Sequence, residues 1–90
     1  MRLLALDCSG DRRSVALAAG GAVVAARGEA GARGHAERLV PLLEETRAEA
    51  GWTWSSLDQL AVAVGPGSFT GVRIAVAAAR ALALALDRPV

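Results

Sequence analysis

Three groups of residues in this 90-residue chain have types and spacings that could do chemistry. The first is Gly65-Pro66-Gly67-Ser68-Phe69-Thr70-Gly71, which follows an apolar run and opens a helical pattern. In that setting free backbone N–H groups and the positive end of a helix dipole point at the loop, a combination that attracts anions. The glycine spacing departs from the familiar phosphate loops. A dinucleotide fingerprint needs G-x-G-x-x-G, and here the third glycine comes one residue later. A Walker loop needs a lysine, and the sequence has none. The competing reading is a sharp turn whose glycines supply positive φ and permit close packing. The second group is Asp7, Ser9 and Ser14, at the end of the first apolar run and in the hairpin beyond it. A carboxylate with neighbouring hydroxyls can hold a metal–phosphate unit, and it can equally cap its own turn. The third is the lone His35 and the lone Cys8. His35 has no second histidine or cysteine cluster to complete a zinc site, and Ser68 lies in no G-x-S-x-G elbow. Neither a catalytic residue nor a metal ligand follows from them. Cys8 cannot form an internal disulfide and reads as a small buried hydrophobe at a strand end.

Composition narrows the field further. All ten basic residues are arginine, which excludes a P-loop lysine and Schiff-base chemistry. A formal net charge of +1 gives no strong pull towards nucleic acid or membrane. No signal peptide is evident, because Asp7 interrupts the short apolar stretch after Met1-Arg2. The longest apolar run, Ile74–Leu86, is broken by Arg80 and falls short of the ~20 residues that span a bilayer. The chain reads as cytoplasmic and soluble, with material for one domain and one modest core.

These residues need elements to position them. Leu3–Leu6 reads as a short strand buried on both faces. Ser14–Ala19 and Ala22–Arg27, joined by Gly20-Gly21, read as two more strands, making an antiparallel meander. Gly28–Gly34 reads as a loop. His35–Ala50 reads as a helix with Leu39, Leu42, Leu43 and Thr46 on one buried face, and Gly51 as its C-cap. Pro41 means that this helix either starts close to it or kinks there. Ser55–Asp58 can form a single turn, Trp52 and Trp54 cover an edge of the core, and Leu60–Val64 is a further buried strand. Val72–Leu86 is the second helix. It is apolar nearly all round, with Arg73 and Arg80 as its only charges, so 90 residues cannot cover it on every side. A partner surface, missing sequence, or both are expected. The order β-β-β-α-β-α implies an α/β fold, a mixed sheet with helices packed on it.

Arg2-Leu3-Leu4-Ala5-Leu6-Asp7 with Ser14-Val15-Ala16-Leu17, then His35-Ala36-Glu37-Arg38-Leu39-Val40-Pro41, and most specifically Gly65-Pro66-Gly67-Ser68-Phe69-Thr70-Gly71-Val72-Arg73, resemble the TsaB (YeaZ-like) family. The resemblance spans the chain and accounts for Pro41 as a family feature. It implies the first lobe of an actin-like ATPase (ASKHA, RNase H-like) fold, with residues 1–90 forming a single N-terminal lobe and a second lobe absent. It implies a non-catalytic subunit of the system that makes N6-threonylcarbamoyladenosine at position 37 of tRNAs reading ANN codons. The implied partners are the paralogue TsaD, which transfers the threonylcarbamoyl group, the ATPase TsaE, and a second copy of the chain, with tRNA reached only through the complex. ATP and a divalent metal belong to the partner subunits, with no cofactor held by this chain alone. TsaD-like sequences carry an apolar residue where Ser68-Phe69-Thr70 stands, which favours TsaB. The expected partner interface combines Leu39, Leu42, Leu43 and Thr46 with Arg73, Val76, Ala77 and Arg80. Asp7, Ser9, Gly65, Gly67 and Ser68 are the nucleotide-proximal set if the lobe is instead a TsaD-like transferase or another ATP-binding enzyme. A peptidase, an older label in this superfamily, lacks any triad here.

Overall fold

The computed structural model describes residues 1–8, 11–31, 35–63 and 69–88, the side chains of residues 35, 36, 69 and 70 excepted. Its elements are β1 (Arg2–Asp7), β2 (Arg12–Ala19), β3 (Ala22–Ala30), α1 (His35–Ala50), a 3₁₀ turn (Trp54–Ser56), β4 (Gln59–Val62) and α2 (Phe69–Leu86). The strands form one sheet in the order β3-β2-β1-β4. β1 pairs antiparallel with β2 and parallel with β4, and β2 pairs antiparallel with β3. The mixed sheet expected from the element order is therefore present. Gly20 and Gly21, at φ +59° and +80°, make the two-residue turn whose twist suits a β2–β3 hairpin. The register shifts after Leu17, leaving Val24 as an extra residue on β3.

Both helices lie over the same sheet face, α1 against β2 and β3 and α2 against β4 and β1. Beneath them Leu4, Leu6, Val15, Leu17 and Leu60 meet Leu39, Leu42, Leu43, Ala75, Ala79 and Ala83 in one core. Alternation along β1 puts Leu4 and Leu6 into that core and leaves Leu3, Ala5 and Asp7 half-buried. The expectation that β1 is buried on both faces is thus corrected: antiparallel neighbours allow one face to stay open. α1 runs unbroken from His35 through Pro41, so the helix does not begin at the proline. Pro41 sits on the exposed side, where the carbonyl it deprives of a hydrogen bond can turn to water. β3 runs on to Ala30, three residues past its expected end, and β4 covers Gln59–Val62. Val64 lies outside the described residues.

Both helices end in the same cap. Gly51 (φ +71°) donates to the Ala48 carbonyl while Trp52 N–H reaches back to Arg47. Asp87 (φ +55°) and Arg88 repeat the pair on Leu84 and Ala83. The chain start is clamped to the approach to β4. Arg2 N–H donates to Asp58 Oδ2 at 2.7 Å, Asp58 N–H donates to the Arg2 carbonyl at 2.9 Å, and the Arg2 guanidinium lies 4.4 Å from the Trp52 ring centre.

Glu29 on β3 links the sheet to α1. Arg38 donates to both its oxygens, at 2.9 and 3.2 Å. Buried Arg13 places Nε 3.3 Å from Glu29 Oε1, an ion-pair distance without hydrogen-bond alignment. The Arg38 hydrogen bond, followed by the positive charges, holds the Glu29 carboxyl below its ordinary value of 4.5. A depressed carboxylate stabilises the fold above its unfolded pKa, and that contribution is lost as pH falls through the folded value. Glu29→Gln is expected to flatten the acid limb of a stability–pH curve below pH 4.5. An unchanged limb in urea titrations would remove Glu29 from the account.

Candidate functional site: the outer helical face

α2 has two sides. Gly71, Ala75, Ala79 and Ala83, one every fourth residue, are buried on the sheet. The opposite side presents Arg73, Ala77, Arg80 and Leu84, all exposed, and Leu84 is 84% accessible. The small buried alanines let the helix lie close to the sheet, so its larger apolar residues are not all drawn inward. Between α2 and α1 runs an apolar groove of about 330 Å³, lined by Val40, Leu43 and Trp54 on one bank and Ala78, Ala81, Leu82 and Ala85 on the other. Val40 is 60% exposed. Trp54 is fixed at the rim by donating its indole N–H to Glu44, which also accepts 2.9 and 3.2 Å hydrogen bonds from Arg47. Those bonds, Arg47 first and Trp54 second, hold the Glu44 carboxyl below the ordinary range.

The eight interface residues expected from the sequence divide cleanly. Arg73, Ala77 and Arg80 are exposed and Val76 is half-buried beside them. Leu39, Leu42 and Thr46 are 1%, 3% and 0% exposed, committed to this chain's own core, as is Leu43 at 6% apart from the edge it shows at the floor of the groove. Their placement in a partner interface is corrected: the stripe that spacing identifies on α1 is the stripe the sheet covers. Thr46 donates its hydroxyl to the Leu42 carbonyl at 2.7 Å, which satisfies it in the core. Val40, Leu84 and Trp54 are the surface residues that sequence reasoning missed. Leu84 was discoverable, because it continues the i, i+4, i+7 series of Arg73, Ala77 and Arg80 by one more step.

On the other sheet face, Asp7 on β1 lies opposite Ser14 on β2, with Gly28 on β3 next in the row. They border a shallow depression of about 510 Å³ floored by Ala5, Ala16, Ala26 and Ala61. Asp7 stands at the C-terminal ends of the parallel pair β1 and β4, where α/β sheets commonly receive ligands. Ser9, Gly65, Gly67 and Ser68 lie outside the described residues. Cys8 is fully buried, and burial first, then the Asp7 charge, pushes its thiol pKa up. Among the described residues no three of His, Cys, Asp and Glu converge to hold a metal ion, and no helix is long and apolar enough to cross a membrane.

A β-meander, a crossover helix, a parallel fourth strand and a second helix on the same face define a lobe of the actin-like ATPase (ASKHA, RNase H-like) class. Residues 19–90 match the family described as TsaD, tRNA N6-adenosine threonylcarbamoyltransferase, and the chain belongs to that family. Its resemblance to TsaB runs the full length. It is 41% identical over all 90 residues to the tRNA threonylcarbamoyladenosine biosynthesis protein TsaB of Haemophilus influenzae, covering 38% of that protein. The structure of YeaZ from Pseudomonas aeruginosa superposes with a TM-score of 0.90 at 43% identity, over 99% of this chain and 43% of that one. The tRNA N6-adenosine threonylcarbamoyltransferase of Erythrobacter litoralis is 39% identical over 61 residues, 68% of this chain and 18% of that protein. The chain thus spans about 38% of the length of the curated TsaB relatives it matches.

Proposed function

We propose that this chain is the docking lobe of a non-catalytic cytoplasmic subunit in the synthesis of N6-threonylcarbamoyladenosine at position 37 of tRNAs reading ANN codons. In this reading it binds TsaD through the outer face of α2 and the adjoining α1–α2 groove. TsaE joins the assembly, ATP and a divalent metal are held by the partner subunits, and tRNA is reached only through the complex. The same face serves a homodimer. The observation that carries the reading is the outer side of α2. Ala77, Leu84 and the groove residues Val40, Ala81 and Ala85 are exposed apolar groups gathered on one side of the lobe, and contiguous exposed apolar patches mark interaction surfaces. The whole-length likeness to TsaB supports it. Ala77→Glu is expected to abolish association with TsaD while the melting temperature stays within a few degrees of the parent. Unchanged association in sedimentation velocity would overturn the proposal.

A second reading, a TsaD-like or other ATP-binding lobe, is favoured by Asp7 and Ser14 at the strand ends and by the partial match to threonylcarbamoyltransferases. The depression they border offers one carboxylate and one hydroxyl among alanines, with Arg27 also in its lining. Such a set could orient a hydrated metal–phosphate group, while the Arg27 guanidinium is held in an ion pair with Glu49 at 3.2 Å. Calorimetry separates the two readings. ATP binding in the micromolar range that is lost in Asp7→Ala favours the enzyme, and no detectable heat favours the docking lobe.

A further inference from the structure

We infer that the open face of the sheet holds a site for a small zwitterion, an α-amino acid whose ammonium group meets Asp7 and whose carboxylate meets Arg12. The site lies on the opposite side of the sheet from the helices, so it stands or falls separately from docking. Its head is the row of cross-strand neighbours Asp7, Ser14 and Gly28. Arg12 precedes Ser14 by two residues on β2 and therefore shares its face. Arg12 is exposed, yet its guanidinium does not run straight out to water. Its Nη2 stands 3.0 Å from where a Cβ on Gly28 would sit, folded down over the glycine. A side chain at position 28 would push it aside, so the glycine provides the seat. Arg13 and Arg27 alternate to the helix side of the sheet and pair there with Glu29 and Glu49. Among the described residues Arg12 has no such carboxylate.

Charge and spacing decide the class of ligand. A plain anion on Arg12 would lie beside the Asp7 carboxylate, and a plain cation on Asp7 would lie beside the Arg12 guanidinium; each meets one like charge. A zwitterion satisfies both. Neighbouring strands lie about 4.8 Å apart, so Asp7 and Gly28, two strands apart, span about 10 Å along the sheet. A hydrogen bond of about 2.9 Å at each end leaves about 4 Å between them. That suits charged groups borne on one carbon and its carboxyl, and it is short for an amino acid with its charges at opposite ends of a chain. The planar guanidinium can donate two hydrogen bonds to the carboxylate, and the Asp7 carboxylate has lone pairs for several donors. Ser14, in the middle of the row, can exchange a hydrogen bond with a ligand hydroxyl. Next to this head the methyl groups of Ala5, Ala16, Ala26 and Ala61 floor the depression of about 510 Å³, which gives a short aliphatic side chain an apolar bed.

L-Threonine is the probe, because it joins the two charges to a short side chain with a hydroxyl for Ser14. Titration of this chain, followed by the NMR shifts of its backbone amides, is expected to show saturable millimolar binding centred on Asp7, Ser14 and Gly28. N-Acetyl-L-threonine lacks the ammonium charge, and L-threonine methyl ester lacks the carboxylate. Each is expected to bind about tenfold more weakly or worse, as the loss of one charge-assisted hydrogen bond implies. Arg12→Gln and Asp7→Asn are expected to weaken L-threonine by a similar factor. Gly28→Ala keeps both charges and displaces the guanidinium, so it should weaken binding too. Melting curves check that each variant folds, and Arg12→Gln, on an exposed side chain, keeps the test open if Asp7→Asn does not. The inference is overturned if L-threonine gives no saturable shifts. It is also overturned if the N-acetyl compound binds equally, which means a plain anion site, or if the ester does, which means a plain cation site. Binding to Arg12→Gln at the parent's affinity would overturn it as well.

Discussion

Ala79→Glu is expected to leave the chain unfolded, while Ala77→Glu, two residues away on the same helix, melts like the parent. Ala79 is completely buried where α2 rests on the sheet, and Ala77 faces outward. A glutamate at 79 must either place an unpaired carboxylate in the core or lever the helix away. The first costs several kcal/mol, and overpacking adds about 1–3 kcal/mol. A chain of this size has a total stability of only roughly 5–13 kcal/mol, at 0.05–0.15 kcal/mol per residue. Circular dichroism together with tryptophan fluorescence reads the outcome. Trp52 is buried beneath the Arg2 guanidinium, so its emission reports directly on the core. A cooperative transition close to that of the parent would mean that the two sides of α2 have been exchanged.

Leu42→Ala is expected to lower the melting temperature by roughly 8–40 °C, from a cavity cost of about 2–5 kcal/mol at 4–8 °C per kcal/mol for a domain of this length. Leu42 is 3% exposed and surrounded by the other core leucines. The loss should be the same at every protein concentration, since no partner needs to touch this side chain. Retained stability with weakened association would return Leu42 to the interface and reverse the correction made above.

The two helices were legible in the sequence to different degrees. His35–Ala50 is bounded as its pattern implies, and Gly51 caps it as expected, because a polar back and a leucine stripe leave one way to orient the helix. What the stripe faces was not legible. Periodicity reports that Leu39, Leu42, Leu43 and Thr46 are covered, and it cannot tell a sheet of the same chain from the surface of another. α2 posed the opposite problem. Apolar residues occur all round it, with Arg73 and Arg80 as its only charges, so residue types give no single apolar stripe to turn inward. Only the distance across the sheet decides that Ala75 and Ala79 do. The meander was readable from Gly20-Gly21, whereas the open face of β1 was not, since a run of four apolar residues looks the same whether one or both faces are covered. Asp7 and Ser14 are brought together as cross-strand neighbours, a pairing set by the register of a hairpin whose turn length cannot be read from residue types alone.

The extra residue on β3 has a consequence for how safely the chain can exist by itself. Val23 and Val24 are 67% and 47% exposed on a strand with a neighbour on one side only among the described elements. Such an edge invites a second chain to add its own strand and start an aggregate. The irregularity at Val24 twists the strand and breaks the even ladder that an incoming strand would need. Arg27 and Glu29, farther along, are held to α1 by ion pairs with Glu49 and Arg38, which keeps charge fixed along the remaining length. β3 can therefore carry two bare valines, because its shape and its anchored charges make it a poor template for an incoming strand.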